Sequence, residues 1–217
     1  MVQQFLPYRD RNDAGQKLAP HLAGYAGRED VIVLGLARGG LPVAQAIAQT
    51  LHLSLDVFLV RKLGAPGREE LAFGAIAGDV RLLNQDVVSR LGLSQTTIEA
   101  TTARERAEMA RRNALYRGDR APLDVRGETA ILVDDGLATG ASMRVAVTVL
   151  RRLEPERIVV AVPVAAESSV GSIRALADEF ICPLVPPLLF GIGAWYQDFS
   201  QVSDAQVQAI LDDALRD

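Results

Sequence analysis

The chain has 217 residues, a formal net charge of −4 and 49% hydrophobic residues, few of them aromatic. That is enough apolar material for one sizeable core of Ala, Val, Leu and Ile, which suits helices laid on a parallel sheet. No long basic run marks a nucleic-acid surface, and neither a signal pattern nor an apolar run long enough to span a bilayer is present. The single cysteine, Cys182, cannot form an internal disulfide and lies in an apolar run, as expected of a core residue in a reducing, cytosolic compartment.

In chain order, residues 5–10 form a short lead-in whose Phe5, Leu6 and Tyr8 are expected to lie over the main body. Asn12 or Asp13 can cap a helix reaching about residue 23, stopped by Gly24 and Gly27. Residues 31–36 read as the first buried strand. It runs into Ala37-Arg38-Gly39-Gly40 and then a helix with Pro42 in its first turn. Adjacent glycines expose backbone N–H groups, and the Arg38 guanidinium matches phosphate oxygens. The spacing fits neither a dinucleotide fingerprint nor a P-loop.

Residues 55–60 form the next strand and deliver Arg61 and Lys62 at its end. The stretch from 63 to 70 is rich in turn formers and charge, and its length suggests a functional or mobile loop carrying Arg68. Residues 73–77 and 81–83 suggest a hairpin around Gly78-Asp79. Asn84 caps a short helix closed by Gly92, and Ser94 or Thr97 opens the longest helix, to about residue 116. That helix carries a seam of Ala100, Ala103, Ala107, Ala110 and Ala114, with Glu108 in reach of Arg104, Arg111 and Arg112. The seam is expected to be its packing face, with a homodimer contact as the alternative.

After a polar connection comes the run ILVDDGLATGAS, residues 131–142. A β-branched strand leads to Asp134 and Asp135, then to a turn of small and hydroxylated residues that opens a helix. Neighbouring carboxylates at a strand end can accept hydrogen bonds from a sugar diol. The turn leaves backbone N–H groups uncovered at the positive end of a helix, with the Thr139 and Ser142 hydroxyls as further donors. Diol acceptors beside a phosphate cradle make a site for a sugar 5-phosphate. Further on, residues 157–162 and 180–184 read as strands flanking a helix over 167–177. The alternation gives an α/β fold, a doubly wound, mostly parallel sheet with its ligands at the carboxyl edge. The tail from 185 crowds Phe190, Trp195, Tyr196 and Phe199 into an irregular stretch, before a final helix over 203–215 with Ser203 and Gln206 spaced for a capping box.

ILVDDGLATGAS resembles the signature for phosphoribosyl pyrophosphate (PRPP) in the type I phosphoribosyltransferases, and RDRNDAGQKLA (9–19) resembles the opening of a poorly characterised bacterial branch of them. The resemblance implies one domain with a core over about 28–184, a lid over about 61–72, an inserted helix over about 94–117 and a hood from about 185 onward joined by the lead-in. It implies that Asp134 and Asp135 hold the ribose and that Ala138, Thr139, Gly140, Ala141 and Ser142 hold the 5-phosphate. Ala37, Arg38, Gly39, Gly40, Arg61 and Lys62 would meet the pyrophosphate, with Arg38 and Lys62 catalytic beside the acid pair. Phe190, Trp195 and Tyr196 are the candidates for stacking on a base. Mg²⁺ would be held mainly by PRPP and water.

Two departures stand out. Ala138 occupies the place where 6-oxopurine members carry an aspartate, so the signature loop supplies no general base. Trp195 stands where their tail holds an acid. The expected activity is transfer of ribose 5-phosphate from PRPP to a nitrogen nucleophile, such as a nucleobase, with loss of pyrophosphate. A PRPP-binding regulator without turnover and an unrelated phosphosugar-binding domain remain alternatives.

Overall fold

The chain is described by a computed structural model covering residues 7–118 and 123–214. Phe5, Leu6 and the last residue assigned to the final helix lie outside the described residues. Five strands form a parallel sheet: β1 (Val31–Leu36), β2 (Ser54–Phe58), β6 (Thr129–Val133), β7 (Arg157–Ala161) and β8 (Glu179–Ile181), in the order β2-β1-β6-β7-β8. Three more, β3 (Arg61–Ala65), β4 (Arg68–Ala77) and β5 (Val80–Leu83), form a separate antiparallel sheet.

The parallel sheet is covered on both faces because its strands are apolar at nearly every position, and the period of two divides them. Val31, Val33, Ile131, Val133 and Val159 face α2 (Gly40–Leu51) and the turns around Leu18 and Leu22. Leu34, Ala130, Leu132, Ile158 and Val160 face α5 (Ala141–Arg151) and Ile173 of α6 (Glu167–Arg174). Helices on opposite faces make the sheet doubly wound, and the chain reverses direction between β1 and β6, which lie side by side.

Two glycines set how closely the layers approach. A Cβ on Gly35 of β1 would sit 2.8 Å from both Cα and Cδ1 of Leu41, so α2 rests directly on the strand that feeds it. A Cβ on Gly15 would lie 2.5 Å from the Val43 carbonyl oxygen and 2.7 Å from Ala46 Cβ. The helix α1 (Arg11–Leu18) thereby lies against α2, and its first residue reaches Asp135, just past the carboxyl end of β6.

Several local expectations change. α1 is capped by the Asp10 side chain, which accepts from Asp13 N–H, and not by Asn12 or Asp13. Past Leu18 the chain tightens to a 3₁₀ helix over Ala19–Tyr25, where Pro20 cannot donate an α-helical bond. The stretch expected to be an irregular loop is a hairpin turning at Pro66-Gly67, with Gly67 at φ +72°. On α4 (Gln95–Arg117) all five alanines of the seam are exposed. The helix buries Ile98, Thr101, Thr102, Glu105, Met109 and Tyr116 instead, against the hairpin and α7 (Asp204–Asp213). Polar groups sit on that buried face because they are paired. The Thr102 hydroxyl donates to the Ile98 carbonyl, and Glu105 accepts from Arg61.

The close seat of α2 yields the first prediction. Gly35→Ala forces the helix off the strand and is expected to lower stability by about 1–3 kcal/mol, the usual penalty for overpacking. Urea unfolding would register it as a lower midpoint with an unchanged slope; an unshifted midpoint would mean that α2 is not seated as described.

Candidate functional site

The turn after β1 and the turn after β6 meet where the sheet reverses. A Cβ on Gly39 would overlap the Asp135 carboxylate, and one on Gly40 would overlap the Val133 carbonyl oxygen and approach Asp134 Cα to 2.8 Å. Any side chain at either glycine would displace the acid pair. The Ala37–Arg38 peptide is cis, and Ala37 N–H donates to the Phe58 carbonyl at 3.3 Å, which ties the bend to the end of β2.

Asp134 and Asp135 are half-buried. Asp134 Oδ1 accepts from the Asp135 N–H at 2.9 Å, and Asp135 Oδ2 accepts from Arg11 Nε at 2.8 Å. The Tyr196 hydroxyl donates to the Asp135 backbone carbonyl at 2.7 Å. Both carboxyls titrate above the ordinary aspartate range. Desolvation leads for Asp134 and the charge of Asp135 adds to it; for Asp135 desolvation again leads, opposed by the hydrogen bond and charge of Arg11.

The turn after the acids opens α5 through Gly140, whose φ of +67° a side chain would strain. Leu137 is pinned by its N–H to the Val164 carbonyl and by its own carbonyl to Ala166 N–H. Beyond it, Thr139, Gly140 and Ser142 have backbone N–H groups with no acceptor among the described residues. The first helical turn always leaves such donors, and here they lie beside the exposed Thr139 and Ser142 side chains. Arg144 Nη1 donates to the Thr139 carbonyl at 2.7 Å, which places a guanidinium against the same turn.

The three expected cations part company. Arg38 sits in the bend, with Nη1 3.6 Å from an Asp204 oxygen that also accepts the Tyr116 hydroxyl. Arg61 turns away, giving Nε and Nη2 to Glu105 of α4 at 2.9 and 2.5 Å. Strand alternation puts Lys62 on the other face of β3, where it is exposed and has no ion pair among the described residues. Three cavities of about 640, 460 and 540 Å³ lie elsewhere: by His52 and Ser54, by Arg28 and Glu179, and between Phe58 and Met109. The acids and the bend instead occupy the open carboxyl edge of the sheet.

Residues 2–185 match the family model of the phosphoribosyl transferase domain. The chain belongs to that family. It is 44% identical over 211 residues to a protein of two Mycobacterium tuberculosis strains, provisionally named a phosphoribosyl transferase, with 97% of this chain covered and 47% of the relative. The chain thus spans about half the length of the curated relatives it matches. The crystal structure of TT1426 from Thermus thermophilus is similar at a TM-score of 0.83 and 42% identity, covering 95% of this chain and 98% of that one.

In this phosphoribosyl transferase domain the three aromatic candidates occupy different settings. Tyr196 is buried in contact with Tyr8 and Phe199, with ring centroids 5.5 and 5.0 Å away, so its ring is already packed within the protein. Trp195 is half-buried, and its carbonyl accepts from Tyr8 N–H. Phe190 is 94% exposed, two residues before Ile192, whose side chain fills the space a Cβ on Gly136 would need. Sequence reasoning missed Arg11 and Arg144. No local pattern joins Arg11 to an acid 124 positions away, whereas Arg144 was discoverable from its place one turn into α5.

The raised titration of the acid pair has a consequence for stability. A carboxyl whose folded pKa exceeds its unfolded value of 3.8 adds stability below that value and loses it as pH rises through the folded pKa. Asp134→Asn is therefore expected to raise Tm of the ligand-free protein by at least about 2 °C near neutral pH. The gain should fade as pH falls below 3.8, where the carboxyl is protonated in the unfolded as well as the folded state. Thermal scans across pH check this, and a Tm lowered at neutral pH would contradict it.

Proposed function

We propose that the protein transfers ribose 5-phosphate from PRPP to a nitrogen nucleophile, of which a nucleobase is the leading case, releasing pyrophosphate. The observation that carries the reading is the contact of the Gly39-Gly40 bend with the Asp134-Asp135 pair, beside a turn with unpartnered N–H donors. That arrangement offers one place for a diphosphate, a ribose diol and a 5-phosphate at a single sheet edge.

In the proposed reaction the nucleophile attacks the anomeric carbon opposite the leaving pyrophosphate, through a transition state resembling an oxocarbenium ion. Arg38, Lys62 and the N–H groups of Gly39 and Gly40 take up charge on the departing diphosphate. Asp134 and Asp135 hold the ribose hydroxyls and place negative charge near the developing cation. The turn from Ala138 to Ser142 anchors the 5-phosphate. Arg61, committed to Glu105, serves the hairpin more than the pyrophosphate. The hairpin of β3 and β4, with Lys62 and Arg68 exposed, is the segment proposed to close over PRPP.

Mg²⁺, when bound, neutralises diphosphate charge. The hard carboxylate oxygens of the acid pair fit it through water, and no cluster of three His, Cys, Asp or Glu side chains suited to a metal exists among the described residues. Ala138 offers no proton acceptor, so the incoming nitrogen arrives anionic or gives its proton to a group outside the signature loop. Phe190, with an open ring face in the segment that leads to Ile192 and Gly136, is the candidate to stack on it.

Incubation with Mg²⁺, PRPP and a panel of bases is expected to release pyrophosphate with at least one of them. Asp134→Asn and Asp135→Asn should each lower kcat/KM about 100-fold, near 3 kcal/mol of transition-state stabilisation. PRPP raising Tm without pyrophosphate release from any base would favour the regulator, and no effect of PRPP on Tm would remove the reading altogether.

A further inference from the structure

Asp135 is held from outside its own loop. Arg11 gives Nε to Asp135 Oδ2 and Nη1 to the Ser200 carbonyl, both at 2.8 Å, while its Cζ lies 3.9 Å from the Phe199 ring centroid. The Arg11 side chain is only 11% exposed. A planar guanidinium fixed by two acceptors and a ring face has one orientation, and it imposes that orientation on the carboxylate it holds. The lead-in and the tail are themselves joined. Tyr8 N–H donates to the Trp195 carbonyl, and Gln197 N–H donates to the Tyr8 carbonyl, both at 2.8 Å.

The oxygens that remain are informative. Asp135 Oδ2 is committed to Arg11 and Asp134 Oδ1 to the Asp135 N–H. No other residue among those described hydrogen-bonds Asp135 Oδ1 or Asp134 Oδ2. Neighbouring residues thus each keep one acceptor oxygen, the number that two vicinal hydroxyls require. We propose that Arg11 is a positioning residue for sugar recognition, holding Asp135 so that its second oxygen meets the ribose diol and tying that geometry to the tail through Ser200 and Phe199. The proposal rests on the phosphoribosyl reading above, and it makes selection of ribose over 2-deoxyribose a property of the lead-in helix as well as of the signature loop.

Calorimetric titration of the full chain with ribose 5-phosphate, 2-deoxyribose 5-phosphate and inorganic phosphate separates this role from a merely structural ion pair. The unmodified protein should prefer ribose 5-phosphate over its 2-deoxy analogue by about tenfold, one charge-assisted hydrogen bond. In Arg11→Ala that preference should fall to within about twofold, with inorganic phosphate binding unchanged because the turn from Ala138 to Ser142 is untouched. Arg11→Lys keeps the charge but cannot reach both acceptors and stack, so it should lose the preference as well, and it decides the matter if the alanine variant does not fold. Retention of the full preference in either variant overturns the role of Arg11. So does parallel loss of inorganic phosphate binding in the lysine variant. An unmodified protein that binds ribose 5-phosphate and its 2-deoxy analogue equally overturns it too while leaving sugar-phosphate binding intact, whereas no binding of either sugar phosphate removes the reading beneath it.

Discussion

A side chain at position 39 or 40 would occupy the space of the aspartate pair. That close approach is what the rest of the architecture serves. β1 and β6 must be neighbours for it to occur, and they are paired in register from Val31 with Thr129 to Gly35 with Val133. α2 must lie tight on β1 for the bend to turn over the end of β6, which the bare Cα of Gly35 permits. The same edge then receives the amino end of α5, so two acids, two glycines and a set of free amides converge without any long loop to position them.

The convergence has an electrostatic side. Burial at the strand end penalises the charged form of both carboxyls and pushes both above their ordinary range, with the charge of Asp135 adding to the shift of Asp134. The chain answers with a single buried arginine on Asp135 and one backbone N–H on Asp134. It leaves the remaining oxygens open. A core built only for stability would fill such a place with apolar side chains, as it does just before the acids at Leu132 and Val133, which are fully buried.

Features set by short-range chemistry were legible in the sequence. The first strand ends where it was expected, Asn84 and Gly92 bound their helix, and Ser203 with Gln206 forms the capping box. The order of strands and turns that places the acids on the sheet edge follows from β-branched runs and right-handed crossovers. Pairings between distant segments were not legible. Arg61 and Glu105 meet only because α4 packs across the hairpin, and Arg11 reaches Asp135 only because Gly15 lets α1 sink onto α2. The alanine seam of α4 misled for a related reason. Periodicity identifies a stripe but not which stripe is buried, and here Thr102, Glu105 and Arg117 enter the interior because each finds a partner there.

The central claim is that one sugar diphosphate spans the reversal point between β1 and β6. A crystal structure of the protein with Mg²⁺ and PRPP tests it most directly. The account predicts ribose hydroxyls on Asp134 and Asp135, the diphosphate against the Arg38-Gly39-Gly40 bend, and the 5-phosphate in the turn before α5. Density for PRPP in one of the cavities away from that edge, with the aspartates untouched, would contradict it.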